Sequence, residues 1–219
     1  MNLSGRTSSL IDSQFEKIRS SGVHVFDEKI ETRPQLVPSI VVRLDRSISG
    51  KIYQSYIHLL PREMAEGLIT QPYGGYHITL QWYEPEYHSP TVENALIEKI
   101  DELVKDPNFP HGCTLIYPII GYYSVWAAMD NDTEDKLYGA RKNIALKLKD
   151  VGINSGLNEE RSFLSYINFA RYSKRLRVSS EKLRTHTTIQ QEVNFSSIEL
   201  LLADKFVSIK SKLIKKWIL

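Results

Sequence analysis

The sequence predicts an α+β fold in which a group of strands followed by a helix occurs twice. Three short apolar runs precede residues 91–105, whose apolar side chains recur at helical spacing until Asp106-Pro107 ends the segment. Two further strand-like runs precede a second helical segment at residues 134–151, with Gly152 where a helix usually ends. With 219 residues, 42% hydrophobic and 25% charged, the chain can form one large domain or two smaller lobes.

The first 38 residues are predicted to lie outside this repeated pattern. Residues 9–21 have apolar side chains on one side of a short helix, which Ser9 and Asp12 would cap and Gly22 would end. Residues 24–38 contain three acids and two prolines, and we expect an irregular connector there.

The remaining residues, 39–219, are predicted to form one two-lobed domain. The lobes extend over about 39–110 and 111–219, and strands can be exchanged between them. Further signals are a turn at Gly74-Gly75, a basic connector at 174–184 and a basic tail at 215–219. The predicted strands are residues 39–44, 53–60, 76–82, 113–120, 122–129, 163–172 and 195–203.

Composition and cysteine content limit the class of protein. No apolar run is long enough to span a bilayer and the N-terminus lacks the apolar core of a secretory signal, so we expect a cytoplasmic protein. The single cysteine, Cys113, excludes an intramolecular disulfide framework and is expected to be buried. The six histidines form no helical i,i+4 pair and have no adjoining carboxylate pattern, so no metal site is predicted.

Charge is unevenly distributed along the chain. Residues 171–219 contain 11 Lys and Arg against 4 Asp and Glu, a net charge of +7. Residues 1–170 contain 17 against 22, a net charge of −5. Such polarity indicates either an anionic ligand on the C-terminal side or a solvated basic surface.

The most informative stretch is residues 76–82. Because successive side chains of a strand face opposite sides, His77, Thr79 and Gln81 should share one face. An imidazole can take or give a proton near neutral pH, and a hydroxyl can donate to an anionic oxygen of the same ligand. This face therefore suits a phosphate, although a single His-x-Thr is also common where histidine is a structural residue. The opposite face, expected in the core, consists of Ile78, Leu80 and Trp82.

In their order and spacing, the motifs of residues 40–208 resemble those of the 2H phosphoesterase superfamily, which includes bacterial 2′-5′ RNA ligase-like proteins and cyclic nucleotide phosphodiesterases. The resemblance implies a two-lobed, pseudo-twofold fold in which antiparallel sheets form a central cleft with helices outside. Each lobe of such proteins offers a His-x-Thr/Ser strand to the cleft. The stretches that resemble the family are His-Ile-Thr-Leu at 77–80, Ser-Val-Trp-Ala-Ala-Met at 124–129, Tyr-Ile-Asn-Phe-Ala-Arg at 166–171 and Ile-Glu-Leu-Leu-Leu-Ala-Asp at 198–204.

The second motif departs from the family pattern. Where the family usually has His-Ile-Thr-Leu-Ala-Arg, this chain has Tyr166 in place of the histidine and Asn168 in place of the hydroxyl residue. The sequence His186-Thr-Thr-Ile is an alternative second motif, but it lies only nine residues before Phe195, which leaves little room for the usual loop.

The resemblance implies a reaction that needs no metal and no cofactor. One histidine takes a proton from water or a ribose hydroxyl, the other protonates the departing oxygen, and the hydroxyl residues hold the phosphoryl oxygens. Because a phenol can donate a proton to an alkoxide but is a poor base at neutral pH, Tyr166 would be the acid and His77 the base. Asn168 could donate an amide N–H in place of the hydroxyl beside Thr79. Added positive charge is expected from Arg171 or from Lys174, Arg175 and Arg177.

Aromatic residues near the predicted cleft could stack on a nucleobase, but most are explained as packing. From seven candidates, Tyr73, Tyr76, Trp82, Tyr83, Tyr122, Tyr123 and Trp126, we select Tyr76 and Trp126 as substrate-binding residues.

The sequence thus supports two functions of different classes. The first is a metal-independent phosphodiesterase that acts on 2′,3′-cyclic or 2′,5′-linked nucleotide or RNA phosphodiesters. The alternative is a catalytically weakened module that binds a nucleotide or an RNA end, and a scaffold role ranks third. In both leading cases the expected partner is a nucleotide or RNA end and not a membrane, while the oligomeric state is open.

Overall fold

A computed structural model of the protein describes most of the chain. The described residues are 5–26, 36–45, 58, 60, 62, 66–70, 76–153, 165–175, 190–203 and 211–219.

Three α-helices are present in the described part of the chain, and two of them are capped by their own sequence. Ser89 accepts a hydrogen bond from the Val92 backbone N–H at the start of the second helix, and Asp130 accepts one from Thr133 at the start of the third. The third helix ends before Gly152, whose φ of 83° is a conformation that favours glycine. The helices are α1 (Gly5–Ser21), α2 (Pro90–Lys105) and α3 (Asn131–Asp150).

Eight strands form one antiparallel sheet in the order β2-β6-β5-β4-β7-β1-β3, with β8 paired to β7 beside this path. A short 3-10 helix, Pro85–Tyr87, follows β3. The strands are β1 (Val37–Leu44), β2 (Leu68–Thr70), β3 (His77–Trp82), β4 (Gly112–Ile120), β5 (Ser124–Met129), β6 (Ile167–Tyr172), β7 (Gln191–Ala203) and β8 (Ser211–Ile218).

The 13-residue strand β7 joins the two parts of the sheet. Its first residues, 191–194, pair with β4, and residues 195–203 pair with β1. The same later stretch of β7 pairs with β8 on its other side. Strands from the first and second halves of the chain therefore lie side by side.

The main core lies between one side of this sheet and the helices α2 and α3. Its buried side chains include Leu96 and Ile100 of α2 and Ile144 of α3, packed with alternate residues of the strands. The helix α1 packs separately, with Ile18 and Phe15 in one cluster and Leu10 and Ile11 in another. In the described part of the chain, no helix is long and apolar enough to cross a membrane.

The α+β class and most predicted elements are confirmed, with shifted boundaries. The helix α1 begins at Gly5, so Ser9 and Asp12 lie inside it and the predicted capping pair is wrong. The residues predicted as a basic tail lie mostly in the strand β8, and β2 was not predicted. Residues 74–75 and nearly all of the predicted strand 53–60 lie outside the described residues.

Candidate phosphate site

The strand β3 carries the first motif on the side of the sheet that faces away from α2 and α3. Ile78 and Leu80 are fully buried in the main core, so the alternating side chains of His77 and Thr79 project from the opposite side. His77 is 7% exposed and Thr79 is half-buried. Gln81 was expected on this side as well, but the pairing of β1 with β3 shifts register between Ile40 and Val41, so Gln81 lies opposite Ile40, whose side chain is in the main core. Gln81 is fully buried, and its side-chain oxygen accepts a hydrogen bond from the Trp82 backbone N–H. Trp82 was expected in the core, but it is half-buried and lies outside the main core.

The strand β6 carries the second motif with the same orientation. Ile167 and Phe169 lie in the same core as the apolar side chains of β3. Tyr166 and Asn168 alternate with them, so they project from the side of the sheet that carries His77. Both are half-buried. All four motif side chains therefore share one side of the sheet.

Two contacts bring β3 and β6 together although they are far apart in the strand order. The rings of Tyr76 and Phe169 meet edge to face with centroids 5.5 Å apart. Arg141 of α3 donates a hydrogen bond to the backbone carbonyl of Thr79 and interacts electrostatically with Tyr166. The two motif strands thus approach each other next to α3.

The first contact also corrects the role predicted for Tyr76. Tyr76 precedes His77 by one residue and therefore faces the core, where it is 1% exposed. It packs against β6 and does not present a ring to a nucleobase.

Asn168 is held by a side-chain hydrogen bond. The Ser124 hydroxyl donates to Asn168 Oδ1 at 2.7 Å. Because the oxygen serves as the acceptor, the amide NH₂ of Asn168 provides the donors of this side chain. A donor at this place suits a phosphoryl oxygen.

The helix α1 covers the side of the sheet near Tyr166. The Tyr166 ring packs against Trp126 with centroids 5.2 Å apart, and Leu10 and Ile11 of α1 join the same cluster. Trp126 is 3% exposed, so its predicted stacking on a nucleobase is not supported in this conformation. The Gln14 side chain also accepts from the Tyr122 backbone N–H at 2.8 Å. The N-terminal helix thus forms one wall of the site.

A cation that was not predicted lies beside His77. Arg43 of β1 is the cross-strand partner of His77, so both side chains project from the same side of the sheet. Arg43 Nε donates to Glu199 at 2.8 Å, and Lys216 lies 3.6 Å from the other oxygen of this carboxylate. The sequence signal for Arg43 was a charged residue within a mostly apolar strand, Ser-Ile-Val-Val-Arg-Leu.

Arg141 was also missed, because charged helix residues are usually solvated. Burial lowers the pKa of its guanidinium to about 10, while Tyr166 and Glu134 act in the opposite direction. Glu134 and Arg141 are buried on the side of α3 that faces the core. The sequence signal was that Glu134 and Arg141 lie at helical spacing with the apolar residues on the buried side of α3, which are Leu137, Ile144 and Leu148.

The cations that were predicted lie farther along β6 or outside the described residues. Arg171 is half-buried, and its Nη1 donates to the Tyr123 carbonyl at 3.4 Å, next to the β4–β5 hairpin. Lys174 and Arg175 are exposed beyond the end of β6. Arg177 and the alternative motif at His186 lie outside the described residues.

Two further expectations concern thiol and metal chemistry. Cys113 is buried as predicted, and burial raises the pKa of its thiol well above the ordinary value, which favours the unreactive protonated form. Within the described ranges, no three His, Cys, Asp or Glu side chains are grouped so that they could hold a metal ion.

Several solved structures share this architecture at low sequence identity. LigT of E. coli in complex with 3′-AMP matches with a TM-score of 0.57 and 16% identity, over 85% of this chain and 99% of LigT. TT0787 of Thermus thermophilus matches with a TM-score of 0.57 and 11% identity, over 84% of this chain and 97% of that one. A structure described as a phosphoesterase matches with a TM-score of 0.54 and 16% identity, over 85% of this chain and 99% of that one. The sequence matches no family model and no curated protein sequence.

The chain has the 2H phosphoesterase fold. The expected arrangement of antiparallel strands with helices outside is therefore confirmed. At 11% to 16% identity the likeness shows the fold alone, so the chemistry of this protein has to be argued from its own residues.

Proposed function

We propose that this protein is a metal-independent phosphodiesterase that hydrolyses 2′,3′-cyclic or 2′,5′-linked nucleotide or RNA phosphodiesters. The observation that supports it most is the common orientation of His77, Thr79, Tyr166 and Asn168 on two strands that approach each other. A phosphate between these strands would meet a base, a proton donor and two neutral hydrogen-bond donors.

The proposed reaction is a direct attack of water on phosphorus. His77 takes a proton from the water as its oxygen bonds to phosphorus, and the bond from phosphorus to the ribose oxygen breaks. Tyr166 gives its phenolic proton to that departing oxygen. The proton on His77 then returns through solvent to the Tyr166 phenolate, which restores the enzyme.

The remaining two motif residues would hold the phosphoryl oxygens. The Thr79 hydroxyl can donate to one oxygen, and the Asn168 amide, oriented by Ser124, can donate to another. The cluster of Arg43, Glu199 and Lys216 adds a net charge of +1 on the side of His77. Donors fixed in advance stabilise the charge that develops in the transition state without reorganising.

Nucleotides as the substrate class are supported by the structural relatives. LigT of E. coli has been solved in complex with 3′-AMP and with NADP⁺. Each of these ligands presents a phosphate attached to a ribose. We carry this ligand class over to the present chain as part of the proposal.

A second candidate, a nucleotide- or RNA-binding protein with weakened catalysis, is favoured by the surroundings of Tyr166. Its ring packs on Trp126 below Leu10 and Ile11 of α1, which restricts the reach of the phenol toward a ligand. Phosphate binding tolerates the loss of the second histidine better than proton transfer does.

Product formation from 2′,3′-cyclic AMP and 2′,5′-linked oligoadenylate tests the proposal. The reactions contain a chelator and are followed by chromatography for the parent, His77→Ala and the control His111→Ala. His111 is an exposed histidine before β4, so its replacement removes an imidazole without touching the site. We expect turnover by the parent and His111→Ala, and a loss of about 10²- to 10⁴-fold in His77→Ala.

The same set of proteins separates the two candidates. If the parent binds 3′-AMP but forms no product from either substrate, the hydrolysis proposal fails and the binding function is favoured. If His77→Ala turns over like the parent, His77 is not the base.

A further inference from the structure

Arg141 is a buried cation in the middle of α3. It is 3% exposed, whereas the next two residues, Lys142 and Asn143, are exposed. With its pKa lowered to about 10, the guanidinium remains charged at neutral pH. Burying a charge costs free energy unless other groups compensate it. Helix packing alone would be served better by an apolar side chain at this position.

The guanidinium contacts the first half of the candidate site and interacts electrostatically with the second. Nη2 donates to the backbone carbonyl of Thr79, the hydroxyl residue of the first motif. Tyr166, the first residue of the second motif, favours the charged form of the guanidinium, and Glu134 of α3 does the same. Arg141 therefore lies where β3 and β6 approach each other.

Two donor groups of Arg141 are not used by the described protein residues. Its Nε and Nη1 are buried and have no hydrogen-bond partner within the described ranges. Buried donors are satisfied in the large majority of cases in folded proteins. Because these atoms are buried on the core side of the sheet, the charge would act on a phosphate from behind the motif strands and not by direct contact.

We propose that Arg141, from the α3 side of the sheet, positions the Thr79 segment and places a buried positive charge behind the phosphate site. The proposal rests on the site between β3 and β6 described under the proposed function. A cation in a region with little water stabilises a phosphoryl group strongly, and this compensates for the imidazole that is replaced by Tyr166. The fixed Thr79 carbonyl keeps the segment from His77 to Thr79 in register with the second motif. Arg141 is a positioning residue in this scheme, and His77 remains the base.

Four variants separate this role from a purely structural one. Arg141→Met removes the charge but leaves the buried carboxylate of Glu134 without its neighbouring cation. Glu134→Gln/Arg141→Met removes both charges, and Arg141→Lys keeps a cation without the guanidinium. Leu148→Ala is the control, because it opens a cavity on the same buried side of α3, seven residues beyond Arg141.

The measurements are calorimetric titrations with 3′-AMP and with inorganic phosphate at pH 7, together with the melting temperature of each protein. We expect Arg141→Met and the double variant to bind both anions about tenfold more weakly or worse, with Arg141→Lys within about threefold of the parent. The double variant should melt at a higher temperature than Arg141→Met, because it no longer buries the charge of Glu134 beside the missing cation. Leu148→Ala should melt at a lower temperature and bind like the parent.

The outcomes distinguish this inference from the proposed function. If the double variant binds both anions as tightly as the parent, Arg141 has only a structural role and the proposal is overturned. A parent that binds 3′-AMP without turning over substrates contradicts the hydrolysis proposal, while the binding comparison still decides the role of Arg141. A parent that binds neither anion overturns both.

Discussion

Replacing Gly121 by alanine tests how tightly Trp126 is packed on the side of the sheet that carries the motifs. A Cβ atom at Gly121 would lie 2.5 Å from Trp126 Nε1 and 3.0 Å from the Ser124 carbonyl oxygen. Ordinary contacts of a Cβ atom begin at 3.4 Å, so the indole would have to move by about 1 Å. The φ of Gly121 is not positive, so the expected effect is steric and not conformational.

The surroundings of Trp126 determine the size of this effect. The indole is 5.2 Å from the Tyr166 ring between centroids, and Leu10 and Ile11 pack on the same cluster. Overpacking of such a site costs about 1–3 kcal/mol. For a chain of this size, that corresponds to a melting temperature lower by roughly 3–9 °C.

Thermal unfolding followed by circular dichroism measures the effect, with Gly139→Ala as the matched control. A Cβ atom at Gly139, inside α3, would meet nothing within 4 Å, and alanine favours a helix over glycine by about 0.5–1 kcal/mol. Gly139→Ala should therefore melt at or above the temperature of the parent. The reasoning is refuted if Gly121→Ala melts like the parent, or if Gly139→Ala loses as much stability.

Three further predictions concern other contacts. A hydrogen bond from the Trp217 N–H holds the pKa of Asp101 below its ordinary value. This carboxylate therefore stabilises the fold at a pH above its unfolded pKa of about 3.9, and the contribution is lost as the pH falls through the lower folded pKa. Parent and Asp101→Asn should thus differ in melting temperature at pH 7 and converge in acid; a constant difference would contradict this. Ile18→Ala, in the 3% exposed residue that anchors α1, should lower the free energy of unfolding in urea by about 2 kcal/mol, and an unchanged midpoint would argue against a docked α1. Asn168→Asp should weaken 3′-AMP binding about tenfold, since a carboxylate beside Ser124 would repel the phosphate; equal affinity would remove Asn168 from the site.

The elements that the sequence predicted best are those with strong local signals. The helix α2 has an apolar stripe, a capping Ser89 with Pro90 behind it, and Asp106-Pro107 at its end. The helix α3 has the Asp130 cap and Gly152. Such signals act within a few residues, so they can be recognised without knowledge of the fold.

The strands that were missed depend on distant partners. The three residues of β2 form a strand because they pair with β6 about 100 positions later. The strand β8 was interpreted as a basic tail because Lys215 and Lys216 looked solvated. In the fold, Lys215 and Trp217 reach Asp101 of α2, and β8 pairs with β7. A local pattern cannot reveal such contacts.

The candidate site was predicted in part, for the same reason. Strand alternation was sufficient to place His77 and Thr79 on one face, and it also explains why Tyr76 faces the core. The covering of Trp126 by α1 is a tertiary contact that no motif encodes. Arg141 was visible as a charge on an apolar stripe, but only its contact with Thr79 connects it to the site.

A crystal structure of the protein with 3′-AMP tests the central claim most directly. The account predicts the phosphate between β3 and β6, with oxygens about 2.7–3.2 Å from the Thr79 hydroxyl and the Asn168 amide and with His77 in contact. A nucleotide bound elsewhere, with the two motif strands unchanged and empty, would contradict the claim that they form one phosphate site.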